Sequence, residues 1–370
     1  MTQEIKLGLV GYGMRGRSLL KLATTAFEGV RAAGICEPNP ASLEQARADY
    51  PTAKHYAEFE AMLGDVSMDA LLIETPAHFH AGFAIKALER NIHVLSDIPS
   101  VNTLEEARNL WEAQRTSKAF YMTGANPNMT GWLETARDLK KRGLFGEPYY
   151  IEAAYLHDCR SLWEVTPWRK PSVNSPKLPI QYCTHSLGPI LQLIDEDLEC
   201  VTCLSTGSHI NKEPGQHDAM AALFRTKSNV VVRLLVSFIN NLPGGGQHNY
   251  RFFTTKGAFE RTLAYQTFQS KEHAEEQRTL FYSTELYGYK NWIELPIGVS
   301  RPEQTEDQKT AGHGGVDYAL WEVFIKAVRA GGPSPISLRE GLRMTLPGIF
   351  AAESARKGGE LTRIKYPWSD

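Results

Sequence analysis

The stretch "IKLGLVGYGMRGRSLLKLA", residues 5–23, decides the fold. Ile5 to Val10 form a short apolar run of strand type. Gly11, Gly13 and Gly16 follow in G-x-G-x-x-G spacing, and Leu19, Leu20 and Leu22 then feed the buried side of a helix. Each glycine answers a separate need: Gly11 a tight turn, Gly13 the approach of a pyrophosphate to the backbone, Gly16 close helix–strand packing. The helix N-terminus, beginning at Met14 and Arg15, offers free N–H groups to an anion. The spacing alone is a weak signal; a strand before it and a helix after it make it specific.

Working outward, "VRAAGICEPNP" reads as a second strand ending at Glu37, about 20 residues beyond the last glycine, where an acid bonds the adenosine ribose hydroxyls. A carboxylate there repels a 2′-phosphate and favours NAD over NADP. The competing reading is an acid before the helix "NPASLEQARADY". Strand and helix then alternate: "DALLIETPAHFH", "AGFAIKALERN", "IHVLSDIP", "TLEEARNLWEAQRTS", "AFYMTGANP". Such alternation predicts a doubly wound parallel sheet over residues 1–123. Thr75, Pro76, His80, Asp97 and Pro99 follow strand ends, where ligands gather, and are read as cofactor-binding with Gly11, Gly13, Met14, Arg15, Gly16 and Glu37.

The pattern changes after the helix that ends at Gly143. "YYIEAAYLH", "CVTCLST", "AMAALFRT", "NVVVRLLVSF", "NYRFFTT" and "GAFERTLAY" read as strands without crossover helices, with a Lys-Gly turn in "TTKGAFE". This predicts a mostly antiparallel sheet with helices on one face over residues 124–370. Residues 157–181 and 296–316 read as long loops, a length that is usually functional. "SLREGLRMTLPGIFAAESARKGG" reads as a helix with Ser337 and Glu340 as its capping pair.

The totals set limits. The chain has 370 residues, 42% hydrophobic and 22% charged, with a formal charge of −2. That suits two domains of a globular protein and gives no sign of a nucleic-acid or anionic-membrane partner. No run approaches the roughly 20 apolar residues of a membrane span, and the first apolar run enters the glycine segment without the pattern of a leader; a cytoplasmic location is expected. Cys200 and Cys203 have CxxC spacing, but in an apolar strand without a second pair. They are read as free thiols, and no metal site is expected.

"GLVGYGMRG", "CEPNP", "TPAHFHAGFAIKALERNIHV", "SDIPSVNTLEEA" and the helix–Gly–Glu–Pro junction together resemble the Gfo/Idh/MocA family, the relatives of glucose–fructose oxidoreductase and inositol dehydrogenase. The resemblance implies a Rossmann domain joined to a larger open antiparallel sheet, NAD(P)-dependent oxidation of sugar or cyclitol hydroxyls, and homo-oligomers that pair through the C-terminal sheet. Where the family usually has Glu-Lys-Pro, with a lysine that handles the hydroxyl proton, this chain has Asp97-Ile98-Pro99. Where it usually has an acid four residues before a histidine, "QYCTHSLGPI" has Gln181 and keeps His185.

"Tyr182-Cys-Thr-His185" and "Gly312-His313-Gly-Gly-Val-Asp317" resemble motifs of the NAD-dependent α-N-acetylgalactosaminidases of this superfamily. Those hold NAD as a catalyst: C3 of the sugar is oxidised, the C2 proton is removed, the glycosidic bond is eliminated, water adds and the hydride returns. This chemistry needs no carboxylate pair at glycosidase spacing. On this reading Tyr182 and His185 carry protons, the second with an ordinary pKa suited to the work. His313, Asp317, Trp168, Arg169, Tyr155, Arg160 and Asp218 are candidate sugar contacts. The bland alternatives are a packed tyrosine, a loop histidine at 313 and a first-turn helix acid at 317. A plain sugar dehydrogenase and an idle sensor of NAD or sugar are the other functions the sequence allows.

Overall fold

The structure is a computed structural model that describes residues 3–166, 170, 178–210, 212, 217–242, 246–263, 277–283, 293–296, 301 and 303–369. The chain divides into two compact units. The first holds Met1–Met129, Glu303–Leu342 and Tyr366–Asp370; the second holds Thr130–Pro302 and Arg343–Lys365.

The first unit is built on strand–helix repeats: β1 (Ile5–Val10), α1 (Met14–Ala26), β2 (Val30–Cys36), α2 (Pro40–Asp49), β3 (Lys54–Tyr56), α3 (Phe59–Asp65), β4 (Ala70–Ile73), α4 (His80–Glu89), β5 (His93–Ser96), α5 (Leu104–Thr116) and β6 (Tyr121–Thr123). The six strands are parallel, in the order β3-β2-β1-β4-β5-β6. This is the doubly wound order whose direction reverses between β1 and β4, where a dinucleotide crosses. Parallel strands are covered on both faces, and Leu7, Leu9, Ile35, Leu71, Leu72, Ile73, Val94 and Leu95 are accordingly buried. Local signals set the helix starts. Asn39 caps α2 ahead of Pro40. Thr103 accepts from Glu106 N at 3.0 Å, and Glu106 accepts from Asn102 N at 2.6 Å.

The second unit contains α6 (Gly131–Lys141), β7 (Pro148–His157), α7 (Arg160–Val165), α8 (Thr184–Leu191), β8 (Leu198–Ser205), β9 (Ala219–Thr226), β10 (Val231–Ser237), β11 (Gly246–Thr254), β12 (Gly257–Leu263), β13 (Gln277–Ser283) and β14 (Ile293–Pro296). The chain then adds α9 (Glu306–Thr310) and α10 (Val316–Ala330) to the first unit. α11 (Leu338–Arg356) begins there and continues into the second, which ends with β15 (Thr362–Arg363). The nine strands run β14-β13-β12-β11-β7-β10-β9-β8-β15; β10 and β7 are parallel and every other pair is antiparallel. Along β9, buried Met220, Ala222 and Phe224 alternate with exposed Ala221, Leu223 and Arg225, so one face is core and the other is open. The core beneath β11–β13 is aromatic: Trp132, Phe145, Tyr250, Phe252, Phe259 and Phe281 are all fully buried. Each such side chain contributes roughly 1.5–3 kcal/mol.

Three local expectations change. The hairpin after β11 turns at Thr255 and Lys256, and Gly257 is already in β12, because the Tyr282 carbonyl occupies the place a Cβ would take. The two segments read as loops carry short helices, α7 and α9, the latter capped reciprocally by Thr305 and Gln308. Instead of one boundary at residue 123, residues 303–342 cluster with the first unit. α10 brings Phe324 against Phe120 at 5.7 Å and Tyr318 against Phe27 at 4.9 Å. The expected Ser337–Glu340 pair is present: Ser337 N donates to Glu340 Oε2 at 2.8 Å, and Glu340 N to Ser337 Oγ at 3.3 Å.

Candidate active site

The glycine turn satisfies each requirement read from its spacing. Gly11 has φ +96°, and a Cβ there would overlap the Glu74 carbonyl. A Cβ at Gly16 would overlap the Gly11 carbonyl, so α1 lies directly on the turn. A Cβ at Gly13 would meet nothing within 4 Å. Gly13 is also the N-cap of α1 with no side-chain cap, which leaves the first-turn N–H groups open toward that space. Met14 is exposed there. An open, uncapped helix N-terminus at the switch point fits a dinucleotide pyrophosphate. Glu37, at the end of β2, accepts from Tyr12 N at 2.7 Å and from Asn39 N at 2.9 Å, which fixes its carboxylate beside the turn.

Arg15 and Asp317 form a pair the sequence reading kept apart. Arg15 makes two bonds to Asp317, Nη1 to Oδ2 at 2.6 Å and Nη2 to Oδ1 at 2.9 Å. Asn126 Nδ2 donates to Asp317 Oδ1 at 3.1 Å, and His313 Nδ1 lies 2.8 Å from Oδ2. Burial opposes ionisation of Asp317, but the hydrogen bonds from His313 and Arg15 prevail and hold its carboxyl well below the usual carboxylate range. Both stand in the first unit, His313 in the turn before α10 and Asp317 in the first turn of α10. Gly312 has φ +34°, and a Cβ there would also strike the Asp317 carboxylate, so both its backbone and its surroundings call for glycine.

Glu74 is a residue the sequence reading missed. It follows β4 as Asp97 follows β5, and Ile73 and Ser96 are register partners, so the two acids sit side by side at the carboxyl edge. Burial, and then the Asp97 charge, raise the Glu74 carboxyl well above the carboxylate range. His80 is buried; its ring nitrogens lie 3.0 Å from Pro99 O and 2.7 Å from Thr75 O, stapling the segments after β4 and β5 together. Pro76 is half-buried in the first of these segments. Ile98 is buried, and its peptide bond to Pro99 is cis.

The second unit gathers phenols and imidazoles. Tyr182 ends the turn Pro179–Tyr182, and His185 lies in the first turn of α8. Their ring centroids are 4.8 Å apart, and Tyr155 on β7 lies 5.6 Å from Tyr182 and 5.1 Å from His185. Phe238 closes one side, 5.8 Å from Tyr182. His248, also missed from sequence, lies 5.2 Å from Tyr155 and 6.3 Å from His185. The signal for it was present: β11 carries His248 and Tyr250 two apart, hence on one face, but only pairing with β7 shows which face.

Arg160 and Asp218 have partners of their own. Arg160 pairs with Asp158 at 2.5 Å and reaches Asn240 O at 2.9 Å, bracing its own loop. Asp218 is buried and accepts from His209 N at 2.5 Å and Ile210 N at 2.8 Å. Trp168 and Arg169 lie outside the described residues. Among the described residues, no group of three or more His, Cys, Asp or Glu side chains could hold a metal ion, and the five cysteines are free and buried.

Residues 5–125 match the oxidoreductase family with an NAD-binding Rossmann fold, and residues 133–260 match the C-terminal domain of the same family. The chain belongs to the Gfo/Idh/MocA family. Within it, the chain is 25% identical over 399 aligned positions to a glycosyl hydrolase family 109 protein of Saccharopolyspora erythraea, covering 96% of this chain and 81% of the relative. It is 23% identical over 423 positions to an alpha-N-acetylgalactosaminidase of Tannerella forsythia, covering 98% and 86%. In fold it is similar to a levoglucosan dehydrogenase solved with NADH, with a TM-score of 0.79, 18% identity, and coverage of 98% of this chain and all of that one. The sequence-derived family, two-part architecture and NAD dependence therefore hold for this member. Among the described residues, no helix is long and apolar enough to cross a membrane.

Proposed function

We propose that this family member cleaves a glycoside, with NAD retained as a catalyst, by transient oxidation of the sugar at C3. One observation carries the reading: a buried Ile98 stands where the family's lysine is usual, while Tyr155, Tyr182 and His185 cluster in the second unit. Similarity to glycosyl hydrolase family 109 proteins along nearly the whole chain supports it.

Bound NAD supplies a hydride acceptor and later a donor. The Gly11–Gly16 turn with Met14 and Arg15 would hold the pyrophosphate, and Glu37 the adenosine ribose. Thr75, Pro76, Asp97 and Pro99 would contact the nicotinamide half, and His80 and Asp317 would position those residues. Oxidation also releases the C3 hydroxyl proton, which passes to water and returns at re-reduction; with a carbonyl at C3, the C2 proton becomes acidic. His185 removes it as base, the C1–O bond breaks with its electron pair on the leaving oxygen, and Tyr182 donates the proton that oxygen needs. Water then adds across the C1–C2 double bond through the same two groups. Tyr182 acts here as acid through its phenolic O–H. His313, Tyr155, Arg160, Asp218, Trp168 and Arg169 are sugar contacts on this reading. Free buried cysteines support a reducing, cytoplasmic setting. The open face of the nine-stranded sheet, with Leu204 and Leu223 exposed, supports a homo-oligomer paired through it.

The test is incubation of the purified protein with p-nitrophenyl N-acetyl-α-galactosaminide in heavy water without added NAD. Nitrophenol release with deuterium at C2 is expected. Release without deuterium rules out elimination. Growth of absorbance at 340 nm with free sugar and NAD, and no release, would make it a sugar dehydrogenase; NAD binding with neither reaction would make it a sensor.

A further inference from the structure

Arg261, on β12, is a guanidinium in an aromatic core. It is 7% exposed, lies over the Trp132 ring at 5.4 Å, and is the register partner of Tyr250. Burying a cation is costly, and an apolar side chain would fill the same place. Arg261 Nη1 donates to the His248 carbonyl at 3.1 Å, which sets a permanent charge against that residue. His248 in turn stands beside His185.

Hydrogen bonding fixes the form of His248. Tyr250 has one hydroxyl proton and donates it to the His185 carbonyl at 2.8 Å, since a carbonyl only accepts. The 2.6 Å contact between Tyr250 Oη and His248 Nε2 then requires Nε2 to be the donor. Ser186 Oγ lies 3.4 Å from the same nitrogen. His248 is thereby the tautomer with hydrogen on Nε2. Burial, then the Arg261 charge, then His185 hold its imidazole well below the ordinary value. The polar groups facing the two histidines are Tyr155 and, through Tyr155, His157 on β7 at 3.0 Å; Tyr182 before α8; Ser186 on α8; Tyr250 on β11; and Arg261 on β12.

We propose that Arg261 is a positioning residue that keeps a proton off His248, so that of these two imidazoles His185 is the one that takes up the proton from the substrate. Burial disfavours a charge on His248, and the Arg261 guanidinium held against its backbone carbonyl adds to that. Tyr250 completes the device by fixing the tautomer of His248. This deepens the reading of His185 as the proton carrier and rests on it.

NMR of the full chain labelled at histidine Cε1 tests the proposal, with His185→Gln and His248→Gln assigning the signals and N-acetylhistidine as a reference in the tube. Between about pH 5 and 8 the His185 signal is expected to titrate and the His248 signal to stay at its neutral position. In Arg261→Met the His248 signal begins to move within that range; in Arg261→Lys, which keeps the charge, it does not. Tyr250→Phe loses the preference for hydrogen on Nε2, read from 15N shifts. An ordinary titration of His248 in the native protein overturns the proposal, and needs no variant to fold. So does an Arg261→Met protein that is folded by circular dichroism with both titrations unmoved. The signals report charge without turnover, so a protein that fails to cleave glycosides leaves this result separately readable.

Discussion

Asp317 shows how much one side chain holds together. It is 1% exposed, yet it accepts from Arg15, Asn126 and His313. Replacing it with Asn keeps the shape but strands the Arg15 charge, at a cost of roughly 2–3 kcal/mol. The folded carboxyl ionises more readily than the unfolded one, whose pKa is about 3.9. Its contribution is therefore full above that value and fades as pH falls from there toward the folded value. Urea unfolding of native protein and Asp317→Asn is expected to show a constant gap from about pH 5 to 7 that narrows below about pH 4. A gap independent of pH would mean the charge is not what matters. Asp317 stands in the first turn of α10, as one of its two sequence readings had it. The partner, Arg15, lies 302 residues away in sequence, and no local pattern pairs them.

At the scale of the element, the glycine turn makes two substitutions of one type behave differently. Gly16→Ala forces a methyl into the Gly11 carbonyl, which is backbone and cannot give, so α1 must lift from the turn. A loss of about 2–3 kcal/mol is expected, together with weaker NAD binding. Gly13 has φ −70°, which any residue adopts, and open space beyond. Gly13→Val is expected to leave the melting temperature nearly unchanged while weakening NAD at least tenfold, because its side chain fills the path of the pyrophosphate. Melting followed by circular dichroism, beside NADH fluorescence titration, separates the two effects. Equal affinity in Gly13→Val and native protein would mean the dinucleotide does not cross this turn. The close approach at Gly16 and the open space at Gly13 were legible in the sequence, since the spacing of glycines in a strand–turn–helix is a local property.

For the whole molecule, the first unit is discontinuous. α10 places Ala319, Leu320, Trp321 and Phe324 in its core, and Met122 bridges to Ser337. Losing the three large side chains among these removes several kcal/mol at about 1.5–3 each, comparable to the entire 5–15 kcal/mol stability of a domain. Residues 1–129 expressed alone are expected to lack a cooperative melt and to bind no NADH. Joining residues 303–342 to them by a flexible linker is expected to restore both; a cooperative fold of 1–129 alone would show the return segment to be dispensable. The sequence by itself determined that the first sheet is parallel and doubly wound, that a glycine turn opens it and that the second sheet is mostly antiparallel, because periodicity of 2 or 3.6 and glycine spacing act within a few neighbouring residues; the family followed from the resemblance of its motifs. Only the tertiary structure decided that residues 303–342 complete the first unit, that Arg15 meets Asp317, and that His248 and Arg261 lie behind His185. Those contacts join residues far apart in the chain, and burial, register and charge select them only once the sheets have formed.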